Sequence, residues 1–75
     1  SPKLAAVYYN LAAFQLAKGE LLEARYSFEK AFKIYSEIYP LSHPTRTTIA
    51  NHIQNLTRLQ RETAEKYLKD NHEKF

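Results

Sequence analysis

The sequence predicts an all-α domain, a helix–turn–helix pair followed by a long third helix, with the three helices antiparallel. Gly19, the only glycine in 75 residues, separates two strongly patterned helical runs. A proline-containing segment, 40–44, separates the second run from a third. Short turns between consecutive helices favour antiparallel neighbours. We place the helices at about 3–18, 20–39 and 45–71.

Length and composition limit the class of protein. A chain of 75 residues forms one domain near the lower limit of what folds without disulfides or metals. It has no cysteine, which excludes disulfides, thiolate metal sites and cysteine nucleophiles. No apolar run approaches the roughly 18 residues of a membrane helix, and no signal-peptide pattern begins the chain. We expect a soluble, intracellular, cytoplasmic protein that does not bind membranes.

The first helix is apolar around most of its circumference. Ser1 is suited to cap it, Pro2 to occupy its first position, and Gly19 to end it in the left-handed conformation. A helix apolar on several sides is covered on more than one of them. We therefore expect a preceding repeat, a symmetry mate or a ligand helix on its outer side. The residues of this possible self-association face are Leu4, Val7 and Phe14.

The second helix carries a continuous apolar seam at alternating spacings of three and four. The seam consists of Leu21, Ala24, Phe28, Ala31, Tyr35 and Ile38, and Leu22, Tyr26, Phe32 and Tyr39 broaden it. The small alanines allow a close approach of the partner helix. We expect Tyr8, Phe28 and Tyr35 in the core.

The third helix begins after two prolines that cannot continue the second. Ser42 or His43 can cap it, with Pro44 in its first turn. Its apolar stripe is short, and its polar content predicts one face toward the pair and one toward water. The chain is expected to fray from Asp70 onward. The stripe consists of Ile49, Ile53 and Leu56, with Leu59 beside it.

The first two helices resemble a tetratricopeptide repeat. The residues that carry the resemblance are Tyr8-x-x-Leu11-Ala12, Ala24-x-x-x-Phe28, the turn glycine Gly19 and the small Ala31. Tyr8 replaces the usual tryptophan and Ala12 the usual glycine. Gln15 replaces the usual tyrosine, which weakens one core contact.

The following segment resembles the kinesin-light-chain type of this repeat. Ala31-Phe32-Lys33-Ile34 and then Ser42-His43-Pro44 match its extended second helix and turn, and Asn51-His52-Ile53 matches the start of a further repeat. Pro40 and Ser42 depart from the family's glycine and aspartate. After Leu56 there is no turn glycine and no partner helix. The resemblance thus implies the C-terminal end of a repeat array, or a solitary repeat with a capping helix.

A second resemblance is to three-helix domains of the microtubule-interacting-and-transport kind, which bind partner helices. They have a similar length and a long third helix, and Arg61–Lys69 is similar to their ending. The turn glycine and the match at Asn10 favour the tetratricopeptide interpretation.

The tetratricopeptide resemblance implies a peptide-binding groove between the first and third helices. Asparagine amides there would fix a peptide backbone, and Arg58 would bind a carboxylate. The basic residues that grip chaperone tails in some members are replaced by Tyr9 and Ala13. The alternative, that Asn10 and Asn55 merely solvate a helix face, stays open. Carried across position by position, the groove consists of Tyr9, Asn10, Ala13 and Leu16 with Asn51, His52, Asn55 and Arg58.

No residue pattern predicts catalysis, a metal or a cofactor. The histidines His43, His52 and His72 lack zinc-site spacing, and the last two lie about 30 Å apart along one predicted helix. Asp70 is the only aspartate, and one glycine cannot build a phosphate-binding loop. The net charge of +3 comes from cations interleaved with glutamates, which argues against nucleic-acid binding.

The sequence therefore favours a non-catalytic adaptor or scaffold that binds a protein or peptide. The alternative is a structural module that self-associates, through the face defined above or through the third helix. Neighbouring repeats in a longer parent chain are a further possible partner.

Overall fold

The computed structural model describes residues 1–72, and three α-helices account for nearly all of them. They are α1 (Pro2–Ala17), α2 (Leu21–Ile38) and α3 (Pro44–Asn71). Each bound lies within one residue of the predicted one, and the all-α fold is confirmed. Asp70 and Asn71, where the sequence predicts that fraying begins, belong to α3, and residues 73–75 lie outside the described residues.

The turn between α1 and α2 depends on Gly19, whose φ is +79°. The Gly19 N–H donates to the carbonyl of Leu16 at 3.0 Å, and the Glu20 N–H donates to the carbonyl of Gln15 at 2.9 Å. These two bonds are those of a Schellman motif, which satisfies the last carbonyls of a helix. The predicted left-handed glycine is confirmed.

The turn between α2 and α3 is held together by His43. Its Nδ1 accepts a hydrogen bond from the Thr45 N–H at 3.1 Å, so His43 rather than Ser42 caps α3. Its ring stacks on Tyr39, with the centroids 3.9 Å apart. Arg46 Nη1 donates to the Tyr39 carbonyl at 3.1 Å. In this turn the Thr45 N–H and the Tyr39 carbonyl therefore have side-chain hydrogen-bond partners in place of helical ones.

The three helices pack with α2 in the centre. Contacts run in opposite directions along each pair of neighbouring helices, which makes α2 antiparallel to both α1 and α3. The pairs that show this are Gln15–Ser27 and Tyr8–Lys30 between α1 and α2, and Phe32–Arg46 and Phe28–His52 between α2 and α3. In the part of the chain that the structure describes, no Cα atom of α1 lies within 8 Å of a Cα atom of α3.

The core lies along α2. Phe28 and Ile49 are its largest fully buried side chains. Two buried alanines on α1, Ala5 and Ala12, and two on α2 let the helices approach closely. Tyr8 and Tyr35 pack against its edge and are half-buried. The buried cluster consists of Ala12, Ala24, Phe28, Ala31, Ile49 and Leu56.

Three residues of the predicted apolar face on α2 are exposed instead. They are Leu22, Tyr26 and Ile38, which are between 40% and 64% exposed. Antiparallel pairing places the start of α1 opposite the end of α2, so no residue of α1 lies beyond Ile38 to cover it. The apolar face that the sequence predicts on α2 is therefore wider than the part that packs within this chain.

Gln15 makes a specific contact where the sequence predicts a weakened one. The Ser27 hydroxyl donates to Gln15 Oε1 at 2.7 Å, and Ser27 is 4% exposed. A partly buried hydrogen bond between α1 and α2 therefore replaces the packing of a larger side chain.

Candidate functional site

The candidate groove lies between α1 and α3, and side chains from all three helices form its floor. Phe28 of α2 is 1% exposed. The His52 ring of α3 stacks on it with centroids 4.6 Å apart and planes 5° apart, and the Tyr9 ring of α1 meets its edge at 5.7 Å. Tyr9 and His52 also contact each other edge to face at 6.5 Å. The structure thus brings together two predicted groove residues from separate helices.

A small cavity of about 330 Å³ adjoins this floor toward the start of α3. Tyr35, which the sequence predicts as core, is half-buried and lines the cavity. Thr45 and Thr48 also line it, and sequence reasoning missed both. Their spacing from His52, seven and four residues, is the signal that places them on one helix face. The complete lining is Tyr9, Tyr35, Pro44, Thr45 and Thr48.

The predicted polar residues on α1 lie at different angles from the floor. Asn10 and Ala13 are both exposed. Helical geometry places Ala13 about 40° from Tyr9 and Asn10 about 100° from it. Ala13 is therefore on the groove side of α1, and Asn10 lies at the edge of that side. Leu16 is half-buried and packs against the core.

The predicted polar residues on α3 also lie at different angles from the floor. Asn51, Asn55 and Arg58 are all exposed. Asn55 lies about 60° from His52, Asn51 about 100° and Arg58 about 120°. Arg58 Nε is 3.8 Å from a Glu62 carboxylate oxygen. Among these predicted residues Asn55 is thus the nearest to the floor, whereas Arg58 is turned away from it.

A second candidate surface is the apolar face of α1, which comprises Leu4, Val7, Leu11 and Phe14. These side chains are between 41% and 60% exposed. Their spacing of three, four and three places them in one stripe, on the side of α1 away from the groove. A cleft of about 380 Å³ joins this face to the exposed Leu22 and Tyr26 of α2. The predicted self-association residues therefore form part of a larger apolar surface.

Lysines border the apolar face of α1. Lys18 Nζ lies 5.2 Å from the centre of the Phe14 ring, and it also pairs with Glu20 at 3.6 Å. Lys30 Nζ lies 4.9 Å from the centre of the Tyr26 ring and 5.7 Å from that of Tyr8. A hydrogen bond and electrostatic attraction to Tyr26, with a contribution from Tyr8, raise the pKa of Lys30 above its ordinary value. Lys30 is therefore cationic at neutral pH.

The histidines have separate environments. His43 caps α3, His52 stacks on Phe28, and the His72 ring lies 2.7 Å from the Lys69 carbonyl oxygen. Among residues 1–72, no three histidine, aspartate or glutamate side chains are grouped so that they could hold a metal ion. Over the same residues, no helix has both the length and the apolar character that spanning a membrane requires.

Comparison of the chain with protein-family models, curated proteins and solved structures finds no match. The candidate surfaces are therefore defined by their geometry alone.

Proposed function

We propose that this domain is a non-catalytic protein-interaction module that binds a peptide segment or partner helix in the groove between α1 and α3. One observation carries the proposal. Tyr9 and His52 meet on the buried Phe28 ring, while the backbones of α1 and α3 stay apart. The opening between the two helices therefore has a preformed aromatic floor, and binding does not have to order it.

The chemistry of the groove suits an uncharged peptide segment. Concave sites that are mainly apolar with a few polar groups are typical of ligand recognition. The cavity beside Tyr9 and Tyr35 would accept an apolar or aromatic side chain. Hydroxyl and amide groups of Thr48 and Asn55 could donate to and accept from a peptide backbone. Arg58 contributes little to this proposal, since it lies about 120° around α3 from His52.

The tetratricopeptide resemblance agrees with this proposal without being needed for it. In that family the first helices of successive repeats line the concave surface, and α1 and α3 would take those positions. On this interpretation the domain would act as an adaptor or scaffold, either alone or at the end of a repeat array.

Peptide display on the immobilised 75-residue chain tests the proposal. Selected peptides should bind a Thr48→Lys variant and an Asn10→Ala/Asn55→Ala double variant at least about tenfold more weakly, a loss of about 1.4 kcal/mol. Because all three positions are exposed or at the groove rim, thermal stability should change little.

The control is Val7→Lys, which adds the same charge to the opposite side of α1. Binding that responds to Val7→Lys and not to the groove variants would rule the groove out.

A second candidate function is self-association through the apolar face of α1, favoured by the exposure of its four apolar residues. Against it, Lys3 lies in α1 and Lys18 directly follows it, while α1 has no acidic residue, so two such faces bring like charges together. If this face forms a dimer, Val7→Arg should dissociate it in sedimentation experiments.

A further inference from the structure

The groove between α1 and α3 is bordered by few charged side chains. Lys3 is the only lysine, arginine, aspartate or glutamate of α1, and Arg46 is the only one in residues 44–57. Helical geometry places Lys3 about 120° around α1 from Tyr9, and Arg46 about 120° around α3 from His52. Both cations therefore lie away from the floor, and the ligand that matches this surface electrically is an uncharged one.

The cavity beside the floor is lined by hydroxyl groups that have no partner. Four of its lining side chains carry a hydroxyl, and none of these hydroxyls makes a hydrogen bond to another described residue. Thr57, elsewhere on α3, differs, since its hydroxyl donates to the Ile53 carbonyl at 2.8 Å. The cavity therefore offers hydrogen-bond donors to the carbonyl groups of a ligand. The four hydroxyls belong to Tyr9, Tyr35, Thr45 and Thr48.

These side chains have to recognise the backbone of a bound peptide. Residues 1–72 contain no β-strand, so they offer no sheet edge to which an extended peptide could add a strand. Hydroxyl donors suit a backbone that presents carbonyl acceptors. A proline residue presents only its carbonyl, because it has no backbone N–H.

We propose that the groove selects a proline-rich segment in the polyproline II conformation, an inference that rests on the function proposed above. Aromatic-lined grooves are a general means of binding such segments, since the polyproline II helix is preformed and loses little conformational entropy on binding. In this domain the rings of Tyr9 and His52 form the floor, and the Tyr35 ring lines the adjoining cavity. Flat proline rings can pack on these aromatic rings while the hydroxyls donate to the peptide carbonyls.

The floor favours a thin, extended ligand over an α-helix. The rings of Tyr9 and His52 contact each other at 6.5 Å, and Phe28 beneath them is 1% exposed. A ligand therefore rests on these rings and does not insert between α1 and α3. A partner helix is about 10 Å across and binds through large apolar side chains on successive turns. Ala13 and Asn55, which continue the groove, offer such anchors only a methyl group and an amide.

The length of α1 limits the length of the segment. α1 has 16 residues and is about 24 Å long. Polyproline II rises about 3.1 Å per residue, so roughly eight residues span the groove. A small and shallow contact of this kind gives a weak complex, and we expect a dissociation constant on the order of 100 µM.

Titration of the 75-residue chain with a blocked oligoproline of about ten residues, followed by amide chemical shifts, tests the ligand class. Two uncharged peptides serve for comparison: a flexible Gly-Ser peptide of the same length, and an alanine- and glutamine-rich helical peptide of about 20 residues. Oligoproline should bind at least about tenfold more tightly than either peptide.

Two pairs of conservative variants locate the site. Thr48→Val keeps the side-chain shape and removes one donor, so it should weaken oligoproline binding roughly two- to tenfold. Thr57→Val is its matched control, because Thr57 lies about 180° around α3 from Thr48 and should leave binding unchanged. Tyr9→Phe should weaken binding by a similar factor, and Tyr8→Phe is its control on α1. Thermal denaturation of each variant checks that the fold is preserved.

Failure of the ligand class can be distinguished from failure of the groove. Oligoproline that does not bind at millimolar concentration, or binds no better than the helical or the Gly-Ser peptide, would overturn the proline proposal. If display-selected peptides without proline still bind in a manner sensitive to Thr48→Lys, the groove itself stands. If the Tyr8→Phe and Thr57→Val controls weaken oligoproline binding as much as the groove variants do, the site lies elsewhere and both proposals are wrong.

Discussion

Ser27 shows how one polar residue can determine the alignment of two helices. It lies on the face of α2 that packs against α1, where alanine would otherwise be favoured for close approach. Its hydroxyl donates to Gln15 Oε1 at 2.7 Å and is almost fully buried. A hydrogen bond is directional, whereas an alanine contact would tolerate small shifts along the helix. We infer that this bond helps to fix the level at which α1 and α2 meet.

Replacing Ser27 with alanine should destabilise the domain by about 1 kcal/mol, because an intramolecular hydrogen bond of this kind is lost. Urea denaturation followed by circular dichroism measures the change. Ser36→Ala is the matched control, since its hydroxyl bonds only to the Phe32 carbonyl within α2. If both alanine variants have the same stability, the bond to Gln15 contributes nothing specific.

The sequence predicts single residues well where the backbone alone determines the choice. Gly19 is an example, since a positive φ strongly favours glycine. The sequence predicts single residues less well where contact with another helix determines the surroundings of a side chain. Tyr9 is adjacent to Tyr8, which the sequence predicts as core, and nothing in the pattern shows that Tyr9 contacts Phe28. Ser27 gives no signal at all, because a serine on a helix face is equally compatible with solvent.

At the scale of the element, α3 consists of two parts with different surroundings. The first part, as far as Leu56, packs against α2 through Ile49 and Leu56. Every side chain from Arg61 to Asp70 is exposed. Isolated helical segments of this length are marginally stable in water, so their helicity depends on the packed part and on any partner. The start of α3 is therefore important for the whole helix.

Replacing His43 with alanine should cost about 1 to 2 kcal/mol, because both the cap of α3 and the stack on Tyr39 are lost. His43→Asn should cost less, since asparagine is a good cap but cannot stack. Denaturation midpoints of the two variants and the wild-type chain show which substitution costs more stability. Equal stability of His43→Ala and the wild-type chain would contradict this role.

Helix bounds were predictable to within one residue because capping and proline effects are local. The faces of the helices were less predictable. Leu22 and Tyr26 follow the same apolar pattern as the buried residues of α2, yet they are exposed. Periodicity shows that a face is apolar but does not show which face meets a neighbour within the same chain.

For the whole molecule, we propose that the opening between α1 and α3 binds a peptide. α2 packs against both helices, and the rings of Tyr9 and His52 contact its Phe28 ring to form the floor of the groove. The sequence predicts Tyr9 and His52 at this site through a family resemblance only. It could not predict the cavity beside them, since that depends on where the His43 turn positions the start of α3.

The most direct test of this claim is a map of amide chemical shifts of the 75-residue chain during titration with a peptide selected for binding. The largest changes should fall on Tyr9, Tyr35, Thr48, His52 and Asn55, while the amides of Leu4, Val7 and Leu11 should remain unchanged. The opposite distribution, with changes confined to the apolar face of α1, would contradict the claim.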